Sequence, residues 1–213
     1  MQISIVGGSG RMGRGIAARA LAGQHAVQII DRDRDRGAKT AAQIRDQQPG
    51  ADIQAGEAEA IASADIVVLA VPYPATTQVA ARYASLLDGK VVIDIANPFD
   101  RATFDPTTSP GTSAAEELAA RAPRTRVVKA FNTTFPPCLM SGGAGGQPLD
   151  VFIASDDAQA RKIVADFAAS CGLNPVDVGP LRRARALEAF QILHISLQRE
   201  MASPLHSAIK ILT

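Results

Sequence analysis

The chain has 213 residues, with 22 Lys and Arg against 21 Asp and Glu, for a formal net charge of +1. That length predicts one large domain, or one domain with a small appendage, and so even a charge balance gives no long-range field for DNA, RNA or an anionic membrane. Hydrophobic residues at 46 % argue against disorder, and aromatics at 4 % with no Trp argue against a base-stacking or carbohydrate-binding surface.

Ile3–Val6 opens a strand that breaks at Gly7-Gly8, and a helical pattern follows from Arg11 to Ala22. Ala26–Ile30 predicts a second strand, followed by a helix over Asp35–Gln47 that ends at Pro49-Gly50. Ile66–Val71 is apolar throughout, which predicts a third strand buried on both faces, as in a parallel sheet. A helix over Ala75–Leu87 and a fourth strand over Val91–Ile95 come next. The stretch Asn97–Thr112 carries Pro98, Pro106, Pro110 and Gly111, and predicts a long loop where such folds place ligand contacts. Ser113 and Glu116 have capping-box spacing for a helix reaching about Arg121. Arg126–Ala130 predicts a fifth strand. Pro136-Pro137 and Gly142–Gly146 predict a second mobile loop. Val151–Ala154, a helix over Asp156–Ser170, with Asp156-Asp157 as its N-cap, and Pro175–Val178 complete the pattern.

This strand–helix rhythm predicts an α/β fold: a Rossmann-type doubly wound, mostly parallel sheet with a C-terminal helical extension. The expected division is a dinucleotide-binding domain over 1–180 and a helical segment over 181–213. The last helix, from about Arg183 to Met201, sets Leu187, Phe190, Leu193, Leu197 and Met201 on one face, with Ile192 and Ile195 widening it. So broad an apolar face must pack on its own sheet or on a second subunit, and a homodimer is the expectation.

Gly8-Ser9-Gly10-Arg11-Met12-Gly13 fits G-x-G-x-x-G between a strand and a helix. Gly8 would allow the tight turn, Gly10 would let backbone N–H groups approach a pyrophosphate, and Gly13 would let the helix pack closely. The pyrophosphate would lie on the positive end of the helix. Asp31, 18 residues beyond Gly13, has nearly the spacing of a ribose-binding acid, and Arg32, Arg34 and Arg36 follow it. An acid favours a free ribose 2′-hydroxyl, whereas arginine can hold a 2′-phosphate. NAD and NADP both remain open on this evidence. Arg34 reads better as a solvated charge.

Gly7–Gly13, Leu69-Ala70-Val71-Pro72 and Val178-Gly179-Pro180-Leu181 before a long C-terminal helix resemble the NADPH:8-hydroxy-5-deazaflavin oxidoreductases nearly end to end. Val128–Thr133 also resembles the cytosolic reductase domain of six-transmembrane metalloreductases. The resemblance implies a homodimer that passes hydride between a nicotinamide cofactor and a deazaflavin stacked on it. It implies that Ser9, Arg32 and Arg36 hold the 2′-phosphate, and that Val71-Pro72 and Ala96-Asn97 line the nicotinamide. The sequence departs from the family at Asp31, where a small hydroxyl residue is usual. It departs again at Phe131-Asn132-Thr133, which replaces the deazaflavin-binding stretch. NAD(H) therefore stays possible beside NADP(H), and a flavin beside the deazaflavin.

The other polar candidates are weak. His25, His194 and His206 have no ligand spacing, and no metal site is expected. His194 reads as a core or interface residue, and Cys138 as an inert thiol. Cys138 and Cys171 form no Cys-x-x-Cys pair, which fits a reduced cytoplasmic setting. Neither a secretory signal nor a membrane helix is expected. No catalytic acid or base stands out. Hydride exchange between a nicotinamide and a flavin-like ring needs alignment and water exclusion more than proton transfer. A non-catalytic NAD(P)-sensing protein and an imine reductase of the pyrroline-carboxylate reductase type are the alternative readings.

Overall fold

The computed structural model describes residues 1–199, 201 and 205–212. In chain order it has β1 (Gln2–Val6), α1 (Arg11–Ala22), β2 (Ala26–Ile30), α2 (Arg34–Gln47), β3 (Ile53–Gly56), β4 (Ile66–Leu69), α3 (Tyr73–Arg82), α4 (Ala84–Leu87) and β5 (Val91–Asp94). Then come α5 (Ala114–Arg121), β6 (Arg126–Lys129), α6 (Pro136–Ser141), β7 (Gly143–Ala144), β8 (Gln147–Pro148), β9 (Asp150–Ala154), α7 (Ala158–Ser170), β10 (Asn174–Gly179) and α8 (Ala184–Leu197).

The main sheet has the order β10-β9-β6-β5-β4-β1-β2-β3. The run β3-β2-β1-β4-β5-β6 is parallel throughout and reproduces the doubly wound 3-2-1-4-5-6 order. β9 joins β6 antiparallel through Lys129 opposite Ala154, and β10 lies parallel to β9. The order reverses between β1 and β4, where Ile3–Val6 pair with Ile66–Leu69.

Alternation along the central strands splits the core in two. Ile3, Ile5, Ile66, Val68 and Ile93 face α1 and α7, through Ile16, Ala20, Val164 and Phe167. Val67, Leu69 and Val92 face the other side, with Ala80, Leu87 and Leu118. All four residues of β4 are fully buried, as an apolar run in a central parallel strand requires. Burying each Ile, Leu or Val is worth about 1.5–3 kcal/mol.

Several elements differ from expectation. β3 is an additional edge strand in which only Ile53 is buried, so its sequence carries little apolar signal. Helix α3 starts early because Pro74 suits a first helical turn, and it is separated from α4 at Tyr83. Pro136 and Pro137 likewise open a helix, α6, rather than a loop. Gly142 caps it, and Gly145-Gly146 turn the β7–β8 hairpin. Asp157 alone caps α7, accepting from the Ala160 N–H, while Asp156 accepts from the Leu181 N–H. Helix α8 stops at Leu197, and Glu200 of the expected helix lies outside the described residues.

The expected apolar face of α8 also divides. Leu187 and Ile192 are buried, and Ile195 packs partly against the core. Phe190, Leu193, Leu197 and Met201 are exposed on the surface. Ile192 and Ile195 thus belong to an inward stripe and do not widen the outward one. Beyond the helix, the segment 205–212 lies against the sheet domain, where Lys210 and the Ile211 N–H both bind Asp150.

Candidate functional site

The turn after β1 is built almost wholly from backbone. Gly7, not Gly8, takes the left-handed conformation, at φ +79°. A Cβ at Gly7 would lie 2.5 Å from the Ala70 carbonyl oxygen, so the turn is pressed against the end of β4. A Cβ at Gly13 would lie 2.6 Å from the Gly8 Cα, so this glycine packs α1 onto the turn itself. A Cβ at Gly10 would meet only the Gly7 oxygen, at 3.2 Å.

The Gly10 N–H donates to the Gly7 carbonyl, and the Arg14 N–H donates to the Gly10 carbonyl. In the intervening first turn, the N–H groups of Arg11, Met12 and Gly13 have no acceptor one turn back in the helix. Gly10 supplies no side-chain cap, and the buried Ser9 hydroxyl has no hydrogen-bond partner. Unpaired donors, a helix N-terminus and an orphaned hydroxyl together fit a phosphate group.

Strand order brings the other expected residues to the same edge. Asp31 follows β2, Val71-Pro72 follow β4 and Ala96-Asn97 follow β5, so they flank Gly7–Gly10 in one row. From β2 to β5 is three strand spacings, about 14 Å. The Asp31 carboxylate accepts from the Asp33 N–H of its own exposed loop at 3.1 Å. Arg36 sits in the first turn of α2, and its guanidinium reaches the Ser9 carbonyl at 3.4 Å. Arg32 is exposed, and Arg34 forms an exposed ion pair with Glu57 at 2.7 Å.

At the β5–β6 end the site is braced by Asp94, Lys129, Asn132 and Glu188, none of which belongs to the glycine motif. Asp94 and Lys129 are register partners on adjacent strands and form a fully buried ion pair at 2.7 Å. Lys129 is also 2.7 Å from Glu188 of α8, and its ammonium donates to the Ala96 carbonyl. Burial pulls the Lys129 pKa down, but Asp94 and Glu188 outweigh it and hold the value above normal. Burial pushes the Glu188 pKa up against the pull of Lys129 and the Ala114 N–H. Asn97 and Asn132 are joined twice: Asn97 Nδ2 donates to the Asn132 carbonyl at 2.9 Å, and Asn132 Nδ2 donates to Asn97 Oδ1 at 3.0 Å. Phe131 beside them is fully buried at φ +62°, a conformation a bulky residue adopts at a cost of about 1–3 kcal/mol. The sequence did carry a sign of this region. Asp94 follows the apolar run Val91–Ile93 and Lys129 follows Val127-Val128, so two opposite charges end buried apolar stretches.

Proton-transfer groups are scarce here. Both His194 ring nitrogens are engaged, with Gln191 and Ser207, and burial lowers its pKa. Tyr73, next to Pro72, donates to Glu117 at 2.6 Å, and burial with that bond pushes its pKa up to about 12. Burial raises both thiols, Cys138 above normal and Cys171 to about 12. Among the described residues no group of three His, Cys, Asp or Glu is disposed to hold a metal ion, and no helix is long and apolar enough to cross a membrane.

Residues 2–98 match the family described as NADP oxidoreductase coenzyme F420-dependent. The F420-dependent NADP reductase of Methanothermobacter thermautotrophicus is 32 % identical over 210 residues, covering 92 % of this chain and 89 % of that one. The chain belongs to the F420-dependent NADP reductase family. A solved structure from Arthrobacter sp. FB24, provisionally assigned to the same reductases, covers 99 % of both chains with a TM-score of 0.81 and 27 % identity. The metalloreductase STEAP3 of Rattus norvegicus is 29 % identical over 188 residues, which cover 87 % of this chain and 35 % of that protein. This reductase chain therefore matches about a third of STEAP3.

Proposed function

We propose that the protein passes hydride between NADP(H) and the 8-hydroxy-5-deazaflavin ring of F420, with the cofactor lying along the carboxyl ends of β2, β1, β4 and β5. The observation that carries this reading is the turn Gly7–Gly10. It leaves the buried Ser9 hydroxyl unpartnered at the open N-terminus of α1, beside the switch point of the sheet. In this reading the N–H groups of Arg11 and Met12 hold the pyrophosphate, Gly8, Gly10 and Gly13 keep side chains out of the way, and the Ser9 hydroxyl joins the 2′-phosphate. Arg36 and Arg32 take the 2′-phosphate. Asp31 braces its own turn and leaves NAD(H) as a weaker alternative. Val71-Pro72 and Ala96-Asn97 form the wall behind the nicotinamide, which supplies the hydride when bound. The acceptor enters beside Asn97, where the loop after β5 and α8 border an open groove of about 360 Å³ lined by Pro98, Thr112, Arg185 and Ile192.

The exposed stripe Phe190, Leu193, Leu197 and Met201 supports a homodimer through α8, and the free, buried thiols of Cys138 and Cys171 fit work in a reducing cytoplasm. Light scattering at micromolar concentration should give twice the chain mass, and Leu193→Glu should halve it. Wild-type protein at the mass of one chain would remove the dimer. The cofactor assignment is tested by Gly10→Val. A side chain there meets little protein but faces the phosphate position. Calorimetry should show NADP+ affinity reduced at least tenfold with circular dichroism unchanged, and unaltered affinity would refute the site.

A further inference from the structure

Ala96 and Asn97 are each held by two hydrogen bonds, and each restraint leads back to α8. The Ala96 N–H donates to Asp94 Oδ1 at 3.2 Å, and its carbonyl accepts from Lys129. The Asn97 carboxamide is joined to Asn132 at both ends. Lys129 is in turn paired with Glu188, and the Asn132 amide nitrogen also donates to the Leu187 carbonyl at 3.2 Å. Leu187 and Glu188 are consecutive residues of α8. Glu188 spends its second oxygen on the Ala114 N–H at the start of α5, at 3.0 Å. The outward arc of the same helix is the exposed apolar stripe.

We infer that Lys129, Asn132 and Glu188 are positioning residues for hydride transfer, making the seating of α8 set the orientation of the Ala96–Asn97 wall. This rests on the reading that the wall faces the nicotinamide. None of the three needs to touch the cofactor. Misplacing reacting atoms by about 1 Å can cost about a hundredfold in rate, so a slack wall is felt in chemistry before it is felt in binding at the far phosphate end. Covering α8 in a dimer would tighten the wall of each subunit.

The experiment compares Asn132→Ala and Glu188→Gln with wild type, the second being isosteric and able to keep the fold where the first does not. Calorimetry with 2′,5′-ADP probes the phosphate end, and calorimetry with NADP+ probes both ends. Single-turnover transfer to a deazaflavin from NADPH deuterated at either C4 position reads rate and facial selectivity. Expected for Asn132→Ala are 2′,5′-ADP affinity within twofold of wild type, an NADP+ advantage over 2′,5′-ADP reduced at least fivefold, transfer slowed at least tenfold, and label delivered from both faces. Glu188→Gln should move the same readouts in the same direction by about threefold. Wild-type rate and selectivity in both variants would overturn the inference, as would equal losses for 2′,5′-ADP and NADP+, which mark a merely structural role. A wild-type protein that binds neither ligand would instead refute the cofactor reading on which the inference stands.

Discussion

The two ends of the candidate cofactor row are built on opposite plans. At the phosphate end, Gly7–Gly13 contribute backbone, and the donors and the Ser9 hydroxyl are left open. At the nicotinamide end, the polar groups around Ala96-Asn97 are engaged with one another through Asp94, Lys129, Asn132 and Glu188. The first plan recognises a charged group by leaving its partners unsatisfied. The second holds a surface still by tying the charged and amide groups behind it to one another, with the Asn132 Oδ1 and Thr133 Oγ1 atoms left without a partner. Affinity should therefore reside mainly at the glycine end and geometry mainly at the braced end.

The largest break in this contrast is Lys129→Met, which leaves Asp94 and Glu188 buried without a counter-charge. Removing one partner of such a group costs about 3–5 kcal/mol. At about 2–4 °C per kcal/mol for a chain of this size, the melting temperature should fall by about 6–20 °C in scanning calorimetry. A fall of less than 3 °C would mean that the triad is not the brace it looks to be.

The two plans also differ in how far the sequence discloses them. The glycine turn lies within seven consecutive residues, so spacing alone exposes it, although the residue with positive φ proves to be Gly7, one before the motif. The alternating elements and the buried run Ile66–Leu69 were readable for the same reason, being local periodicities. The brace joins residues 94, 129, 132 and 188, and only the strand register puts Asp94 opposite Lys129. Helix α8 showed its apolar residues in the sequence. Which of them face inward depends on where Glu188 and Leu187 meet the sheet, and no local pattern encodes that.

Gly7→Ala comes next in size. The left-handed backbone alone costs a non-glycine residue about 1–2 kcal/mol, and the added Cβ would press on the Ala70 carbonyl. NADP+ affinity should drop more than tenfold by fluorescence titration, together with a modest loss of stability. Gly10→Val should lose affinity with stability intact. Equal stability losses in the two variants would erase the distinction between a packed and an open glycine.

The smallest effect sharpens the phosphate end. Asp31→Ser removes a negative charge near the expected 2′-phosphate, and the ratio of NADP+ to NAD+ affinity should rise about tenfold, or about 1.4 kcal/mol. An unchanged ratio would mean that the hydrogen bond from the Asp33 N–H already keeps the carboxylate out of reach.

The central claim is direct hydride transfer between the two rings. Stopped-flow mixing of the enzyme and C4-deuterated NADPH with an oxidised 8-hydroxy-5-deazaflavin, followed by mass analysis, tests it in a single turnover. The account predicts rapid bleaching of the deazaflavin, a slower rate with the label in the transferred position, and deuterium retained on the reduced ring without exchange with water. NADPH that stays unoxidised beside the deazaflavin, or a reduced ring that carries solvent hydrogen alone, would contradict it.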